Sequence, residues 1–243
     1  MPAQEPENGP SWNERAQLPG LSGVLDPADT TGLKNELIDR TQKLALRWEI
    51  RPVRGLHVLD LGCGNGRLSL WLARCGALVE GVDPAPEMVR AARDRVPGGV
   101  FSAGDAEDIP RADASFELVL TAGVLQYLAP EPPRLARAVG EIVRVLRPTG
   151  QFLALEQVRE ADLARGAPRD EYEAAFRGGG LTVQRAYPVR LSDSRVARRI
   201  VDHHRLSQHV WLPALVMMEA QLLRWTPLTG GRYADYMFVC RRA

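Results

Sequence analysis

The residues with the clearest chemical potential lie between positions 58 and 66. This segment reads Val-Leu-Asp-Leu-Gly-Cys-Gly-Asn-Gly, with Asp60 two positions before the first of the glycines 62, 64 and 66. Glycine has no Cβ and adopts positive φ readily, so the run predicts a sharp turn after a strand, where a ligand can approach the backbone closely. The aspartate would repel a diphosphate and could orient the ammonium of an amino-acid tail.

The spacing of these glycines separates two adenosine-containing cofactors. Dinucleotide-binding loops have the pattern G-x-G-x-x-G, whereas this chain has G-x-G-x-G, which favours S-adenosylmethionine over NAD. An NAD-dependent oxidoreductase is further disfavoured because the sequence lacks a Tyr-x-x-x-Lys pair. Taken alone, the loop is also compatible with a tight turn that binds nothing.

Two further acids follow predicted strands. Asp83 ends the apolar segment 77–82, about 20 residues after the first glycine, where a carboxylate would face ribose hydroxyls. Asp105 follows Val100 and Phe101, which predicts a third strand end within reach of an adenine amino group. The three acids are therefore expected to meet at one edge of a parallel sheet.

This ordered set of motifs resembles the class I S-adenosylmethionine-dependent methyltransferases that act on small molecules, of the type 11 group. The resemblance extends over roughly residues 55–160. It is carried by segments 58–66, 81–89, 104–110, 116–128 and 144–155. It implies S-adenosylmethionine as cofactor and a Rossmann-like, doubly wound α/β fold whose seven-stranded sheet has an antiparallel last strand.

The resemblance also implies site residues. Those assigned to the cofactor are Asp60, Gly62, Cys63, Gly64, Asp83, Pro84, Asp105, Ala106, Glu107, Thr121 and Gln126. The catalytic candidates are Tyr127, Glu156, His203 and His204. An imidazole of near-neutral pKa could accept a proton from a hydroxyl or amine acceptor. Structural alternatives stay open: a Tyr127 ring packed under its loop and a Glu156 carboxylate at the surface.

The elements that must position these residues alternate as in a doubly wound fold. Apolar runs predict strands at 56–61, 77–82, 99–102, 116–121, 150–156, 181–187 and 234–241. Helices are predicted at 33–48, 66–75, 86–95, 133–146 and 169–179. Ligands of such sheets bind beyond the carboxyl ends of the strands, where every acid above is expected.

Regions outside this core are expected to be a leader and a cap. Residues 1–30, whose first part is rich in Pro, Glu, Asn and Gly, predict a flexible leader. A single methyltransferase domain would then span 31–243, with its core at 55–160 and a substrate cap at 188–232. Within the cap, 208–225 predicts a helix starting near Pro213. That helix could roof the pocket, form a dimer contact, lie on a membrane surface or pack on the core.

Composition narrows the class of partner. The formal net charge is +1, so no basic face for nucleic acid is expected. Cys63, Cys75 and Cys240 are far apart in the sequence, which predicts neither a disulfide nor a metal site. No signal sequence and no long apolar run are seen, which predicts a cytoplasmic protein without stable membrane insertion.

The leading functional hypothesis is methyl transfer to an oxygen or nitrogen of a small acceptor, either a specialised metabolite or a sugar-containing intermediate of secondary metabolism. The fourth predicted strand lacks the Asn/Asp-Pro-Pro-aromatic motif of enzymes that methylate base amines. One alternative uses the same cofactor for a cyclisation or rearrangement. Another is a non-catalytic assembly subunit that binds its partner through Trp211 or Leu212, and a homodimer also stays open.

Overall fold

A computed structural model describes residues 10–50, 52–159, 166–191, 211–222 and 233–243. Within these residues seven strands form one sheet: β1 (His57–Leu61), β2 (Leu78–Asp83), β3 (Val100–Ala103), β4 (Phe116–Ala122), β5 (Leu146–Arg159), β6 (Leu181–Leu191) and β7 (Tyr233–Arg242). Their order is β3-β2-β1-β4-β5-β7-β6. β1 to β5 pair in parallel, and β7 is antiparallel to both neighbours. The predicted seven-stranded fold with an antiparallel last strand is confirmed.

Apart from the first, which lies in the predicted leader, the helices occur where the sequence pattern predicts them. They are α1 (Trp12–Arg15), α2 (Leu33–Glu49), α3 (Arg67–Arg74), α4 (Pro86–Arg95), α5 (Pro132–Val145), α6 (Arg169–Gly178) and α7 (Trp211–Leu222). A 3₁₀ turn covers Leu125–Tyr127. α4 and α5 each begin at a proline, whose fixed φ suits the first helical position and whose missing N–H has no helical partner there.

Helices cover both faces of the sheet, and the central strand shows why the sequence demands this. Val58 of β1 packs in one hydrophobic cluster, and Leu59 and Leu61 pack in another, since successive side chains point to opposite faces. The first cluster includes residues of α2, α3 and α7, and the second includes residues of α5 and α6. A strand that is buried on both faces reads as a continuous apolar run.

Two strands are longer than predicted. β5 begins at Leu146, which pairs with Phe116, and a register shift precedes the regular pairing of Gln151 with Leu118. Pro148, which suggested a turn before the strand, lies in this irregular part of β5, where a missing N–H is tolerated. β6 continues to Leu191 because β7 offers pairing partners over its whole length.

The predicted flexible leader is wrong for residues 10–30. α1 begins with a capping box between Ser11 and Glu14, and Arg15 is buried. The Arg15 guanidinium donates hydrogen bonds to the carbonyl oxygens of Gly23 at 3.2 Å and Leu25 at 2.6 Å. The segment is thus folded around one buried arginine, a device that leaves no hydrophobic periodicity in the sequence. Residues 1–9 lie outside the described part of the chain.

Of the predicted cap, the structure describes residues 188–191 and 211–222. α7 packs on α2, where Leu212 and Val216 form a small cluster with Leu37. Leu212, one of the expected partner contacts, is therefore buried within the chain, and the interpretation of a core-packing helix is supported for this side of α7. Across the described residues, no helix combines the length and apolar character needed to cross a bilayer.

Candidate cofactor and acceptor pocket

The glycine turn at the end of β1 is shaped by backbone conformation and by close neighbours. Gly62 and Gly64 have φ of +72° and +52°, a region that favours glycine. The Gly62 N–H donates to the Val82 carbonyl oxygen at 2.7 Å, which ties the turn to β2. A Cβ at Gly62 would collide with Val124, and a Cβ at Gly64 would lie 2.7 Å from Cγ1 of Val24. The turn is a cradle that side chains would fill.

Asp60 lies just before this turn and is 3% exposed. Its Oδ2 accepts a hydrogen bond from the Ser69 hydroxyl of α3 at 2.5 Å. Burial raises the pKa of Asp60, while the Ser69 hydroxyl and the Arg67 guanidinium oppose that rise. The carboxylate is thus held at the cavity wall with hydrogen-bonding capacity left for a ligand.

Asp83 ends β2 and is bonded to two backbone segments. Its Oδ2 accepts the N–H of Gly64 at 2.8 Å, and its Oδ1 accepts the N–H of Ala85 at 3.0 Å. Burial raises the pKa of Asp83 to about 6, against the effect of these two donors. Each carboxylate oxygen has a second lone pair, so Asp83 can shape the turn and still accept hydrogen bonds from a ligand.

Asp105 follows β3, and its Oδ1 accepts the N–H of Glu107 at 3.0 Å. Glu107 itself is held by arginines: its carboxylate lies 2.6 Å from Arg134 and 2.5 Å from Arg137. Although partial burial works against its charge, these guanidiniums lower the pKa of Glu107. Asp105 therefore faces the cavity, whereas Glu107 is engaged in a structural ion pair.

The three aspartates line one cavity with about 990 Å³ of empty space, part of it open to solvent. Within the described residues, none of the three takes part in an ion pair. The lining also includes Arg67 and Arg134, but each is paired with an acid, Asp39 at 2.7 Å and Glu107 at 2.6 Å respectively. The charge of this cavity therefore suits a cation and opposes a diphosphate.

Arg67 connects the cavity to α2. It is buried, and its guanidinium donates to Asp39 and to Gln42, each at 2.7 Å. The sequence analysis did not assign this residue to the site. Its position directly after the third glycine, at the start of α3, was the available signal.

The N-terminal segment supplies a second wall. Trp12 meets Tyr127 edge to face, with ring centroids 5.7 Å apart, and the Arg15 guanidinium lies 4.4 Å from the centroid of the Trp12 ring. Val24 packs over Gly64, as the glycine geometry requires. Trp12 and Val24 line the cavity and were missed by the sequence analysis. The Ser-x-x-Glu capping pattern at 11–14 was the signal that could have revealed this helix.

The third wall is the end of β4 and the segment that follows it, which together contribute Ala122, Gly123, Val124 and Tyr127. Glu156 of β5 lies beneath it and is 1% exposed. Its Oε1 accepts the N–H of Val124 at 3.3 Å, and its Oε2 accepts the N–H of Gln126 at 3.1 Å. Burial raises the pKa of Glu156 to about 7, while the Thr121 hydroxyl and these N–H groups lower it.

The structure brings most of the predicted site residues together. Those that line the cavity are Asp60, Gly62, Cys63, Gly64, Asp83, Pro84, Asp105, Ala106 and Tyr127. Four others are absent from the described lining: Glu107, Thr121, Gln126 and Glu156. Glu156 is thus neither a surface carboxylate nor part of the described lining, because it is buried beneath the backbone of residues 123–127. His203 and His204 lie outside the described residues.

Comparison with known proteins finds a family that matches part of the chain. Residues 59–154 match the family model described as a methyltransferase domain. The uncharacterized methyltransferase Rv3342 of Mycobacterium tuberculosis is 39% identical over 119 residues, which are 49% of this chain and 46% of that protein. A ubiquinone biosynthesis O-methyltransferase of Azorhizobium caulinodans is 38% identical over 132 residues, 49% of this chain and 52% of that one. The chain spans about half the length of these curated relatives.

Solved structures share the fold over most of the chain. A geranyl diphosphate methyltransferase in complex with S-adenosylmethionine has a TM-score of 0.64 and 16% identity, covering 90% of this chain and 93% of that one. The [4+2]-cyclase SpnF has a TM-score of 0.59 and 21% identity, covering 84% and 80%. At these identities the likeness concerns the fold.

The residues present fit S-adenosylmethionine. The glycine turn would let the amino-acid part of the cofactor lie close to the backbone, and the carboxylates without ion pairs among the described residues suit its sulfonium and ammonium charges. The fit, the family match and the fold agree with the resemblance carried by the sequence motifs. Residues 59–154 are thus the core of a class I S-adenosylmethionine-dependent methyltransferase domain.

Proposed function

We propose that this protein transfers the methyl group of S-adenosylmethionine to an oxygen or nitrogen of a small acceptor. The observation that carries the proposal is the cavity lined by Asp60, Asp83 and Asp105, three carboxylates without ion pairs among the described residues. When bound, the cofactor supplies a methyl group that is already activated by a positively charged sulfur. The protein then has mainly to bind, orient and exclude water.

Each acid has a proposed task in holding the cofactor. Asp83 accepts hydrogen bonds from ribose hydroxyls while its other lone pairs keep the N–H groups of Gly64 and Ala85. Asp60 orients the ammonium of the amino-acid tail, and Asp105 accepts from the adenine amino group. The carboxylates would thus hold the cofactor at three points and leave the remaining wall of the cavity for the acceptor.

The remaining wall is proposed to face the acceptor. Trp12 and Tyr127 form an aromatic pair there and reduce the access of water. An acceptor hydroxyl must lose its proton, and the candidates for that step are Tyr127, which lines the cavity, and His203 or His204. Glu156 is assigned no proton transfer, because it is absent from the described lining of the cavity.

The acceptor class is proposed from a relative and from composition. The Azorhizobium relative is named an O-methyltransferase of ubiquinone biosynthesis, which supports an oxygen acceptor on a small molecule. A net charge of +1 does not favour nucleic acid. We therefore propose a specialised metabolite or sugar-containing acceptor, a cytoplasmic location and a role in secondary metabolism, with a homodimer as the alternative to a monomer.

The test is calorimetric titration of the purified protein with S-adenosylhomocysteine, the demethylated product, and with NADH. We expect tight binding of the first alone. Asp83→Asn should weaken it at least about ten-fold, since it removes charge from the proposed ribose contact. Asp94→Asn, at an exposed position of α4, is the matched control and should leave binding unchanged. Absence of S-adenosylhomocysteine binding by the unaltered protein would overturn the proposal.

A second candidate function is a cyclisation or rearrangement without net methylation. The similarity of fold to the [4+2]-cyclase SpnF favours it. Mass spectrometry of the product decides between the two, because methyl transfer adds about 14 mass units to the acceptor and a cyclisation adds none.

A third candidate, a non-catalytic assembly subunit, is favoured by one surface of α7. Leu215, Met218 and Leu222 are exposed there at 39%, 54% and 70%. This candidate predicts a stable complex and no turnover. A monomer by light scattering that binds S-adenosylhomocysteine would count against it.

A further inference from the structure

We propose that Glu156 is a positioning residue whose carboxylate holds the backbone of residues 123–127 as one wall of the pocket. Ligand binding then depends on a group that does not face the ligand. The proposal rests on the proposed function only for the identity of that ligand. It assigns to Glu156 a role through the backbone, in place of the catalytic role expected from the sequence.

The Glu156 carboxylate lies beneath the wall and is bonded to its backbone. Both carboxylate oxygens of Glu156 receive backbone N–H groups, from Val124 at 3.3 Å and from Gln126 at 3.1 Å. These donors come from a segment that makes a 3₁₀ turn too short to satisfy them internally. A side chain on a neighbouring strand therefore supplies the acceptors, and the wall takes its shape from β5.

Residues 123–127 also carry groups that line the cavity and contact its other walls. Gly123, Val124 and Tyr127 line the cavity, and Tyr127 meets Trp12 of the N-terminal wall. Val124 is also the side chain that a Cβ at Gly62 would strike. A shift of the 123–127 backbone would thus move the contacts to the glycine turn and to the N-terminal wall together.

The groups around the Glu156 carboxylate come from three neighbouring elements. The groups that face it are the Thr121 hydroxyl on β4, the Tyr172 phenol on α6 and Tyr236, its register partner on β7. Besides Glu156, Arg159 of β5 and Glu171 of α6 act electrostatically on the Tyr172 phenol. Among the described residues no ion pair includes Glu156, so its charge is supported by hydrogen bonds.

These surroundings make the wall sensitive to pH. Burial raises the pKa of Glu156 to about 7, so the carboxyl changes charge near neutrality. The ionised form accepts hydrogen bonds at both oxygens, whereas protonation removes the negative charge and makes one oxygen a hydroxyl, which donates and is a weaker acceptor for a backbone N–H. The wall is therefore better held above the pKa than below it.

The test uses the unliganded protein first. Hydrogen exchange of the peptide covering 123–127 should be about ten-fold faster in Glu156→Gln than in the unaltered protein at pH 8, since charged hydrogen bonds are lost. Glu117→Gln is the matched control. Glu117 also accepts a backbone N–H, that of His57 at 2.8 Å, but lies at the opposite end of β4, so exchange at 123–127 should stay unchanged.

The unaltered protein provides a check that does not depend on the folding of a variant. After correction for the intrinsic pH dependence of exchange, protection of 123–127 should increase between pH 6 and pH 8. Equal protection at both values, or equal exchange in Glu156→Gln and the unaltered protein, would overturn the positioning role.

Binding then separates this inference from the proposed function. Between pH 6.5 and 8, S-adenosylhomocysteine affinity should rise several-fold in the unaltered protein and in Glu117→Gln, with release of a proton on binding. Glu156→Gln should lack that part of the rise. If the unaltered protein binds no S-adenosylhomocysteine, the proposed function fails while the exchange result still decides the role of Glu156. If it binds with the same pH profile as Glu156→Gln, the inference fails and the proposed function stands.

Discussion

The pocket has two sides that are built differently. One side is formed by residues 58–66 and 78–105, and the other by residues 12–24 and 122–128. The first side consists of strand ends and the turns that directly follow them. Its residues lie close together because each follows a parallel strand, and the carboxyl ends of these strands meet at one edge of the sheet. The second side brings together segments about a hundred positions apart, as in the contact of Trp12 with Tyr127. We call these the cofactor side and the assembled side.

The difference between the two sides lies in what holds each in place. On the cofactor side, backbone conformation at Gly62 and Gly64 and the bonds of Asp83 to Gly64 and Ala85 fix the shape locally. On the assembled side, Arg15 and Glu156 support walls made by other residues. Local geometry thus shapes the proposed cofactor contacts, and long-range packing shapes the rest of the cavity.

The largest effect is expected from Gly64→Ala on the cofactor side. Gly64 has positive φ, and its new Cβ would lie 2.7 Å from Cγ1 of Val24, so strain and overpacking together should cost about 3 kcal/mol, or about 100-fold in S-adenosylhomocysteine affinity. Adding Val24→Ala should recover the steric part in calorimetric titration. Gly140→Ala, where a Cβ meets nothing within 4 Å, is the control. No recovery would show that Val24 does not press on the turn.

The next effect concerns pH and Asp83. Its pKa is raised from 3.8 to about 6, so the folded state binds the proton more tightly than the unfolded state, and this group lowers stability as pH rises from about 4 to about 6. Asp83→Asn removes that loss. Its free energy of unfolding relative to the unaltered protein should increase by about 3 kcal/mol across this window, measured by urea unfolding. A pH-independent difference between Asp83→Asn and the unaltered protein would contradict it.

On the assembled side, Trp12→Ala should weaken S-adenosylhomocysteine binding about ten-fold, because it removes the aromatic contact with Tyr127 and opens the wall to water. Trp48→Ala is the matched control, since Trp48 is 59% exposed on α2. Titration of both variants decides the point. If Trp12→Ala and Trp48→Ala bind S-adenosylhomocysteine with equal affinity, α1 covers the cavity without contributing to ligand binding.

The smallest effect is expected at the joint between the two sides. The Asn65 side chain donates to the Gly20 carbonyl oxygen at 3.1 Å and accepts from Arg95 at 3.0 Å. Asn65→Ala should lower the free energy of unfolding by about 1 kcal/mol and the affinity by about three-fold. Gln221→Ala, which removes a side-chain bond to the Pro188 carbonyl far from the pocket, should lower stability alone. If Asn65→Ala and the unaltered protein bind S-adenosylhomocysteine with equal affinity, the two sides are independent.

The sequence predicted, for a physical reason, that the acids of the cofactor side would lie together. Asp60, Asp83 and Asp105 each follow a buried strand, and parallel strands bring their carboxyl ends to one edge. The assembled side was predicted poorly. Nothing in the local pattern showed that Trp12 would meet Tyr127, or that Glu156 would face the backbone of its neighbour, since both depend on packing between distant segments.

The sequence by itself determined the order of strands and helices, the antiparallel last strand by resemblance, and the glycine turn with its acids, because these follow from period, turn residues and strand ends. Tertiary structure alone decided three further points: the folding of residues 10–30 around Arg15, the burial of Leu212 against α2, and the place of Glu156 beneath the wall. A buried side chain can bond to any backbone group that packing brings near it, and sequence position does not specify which.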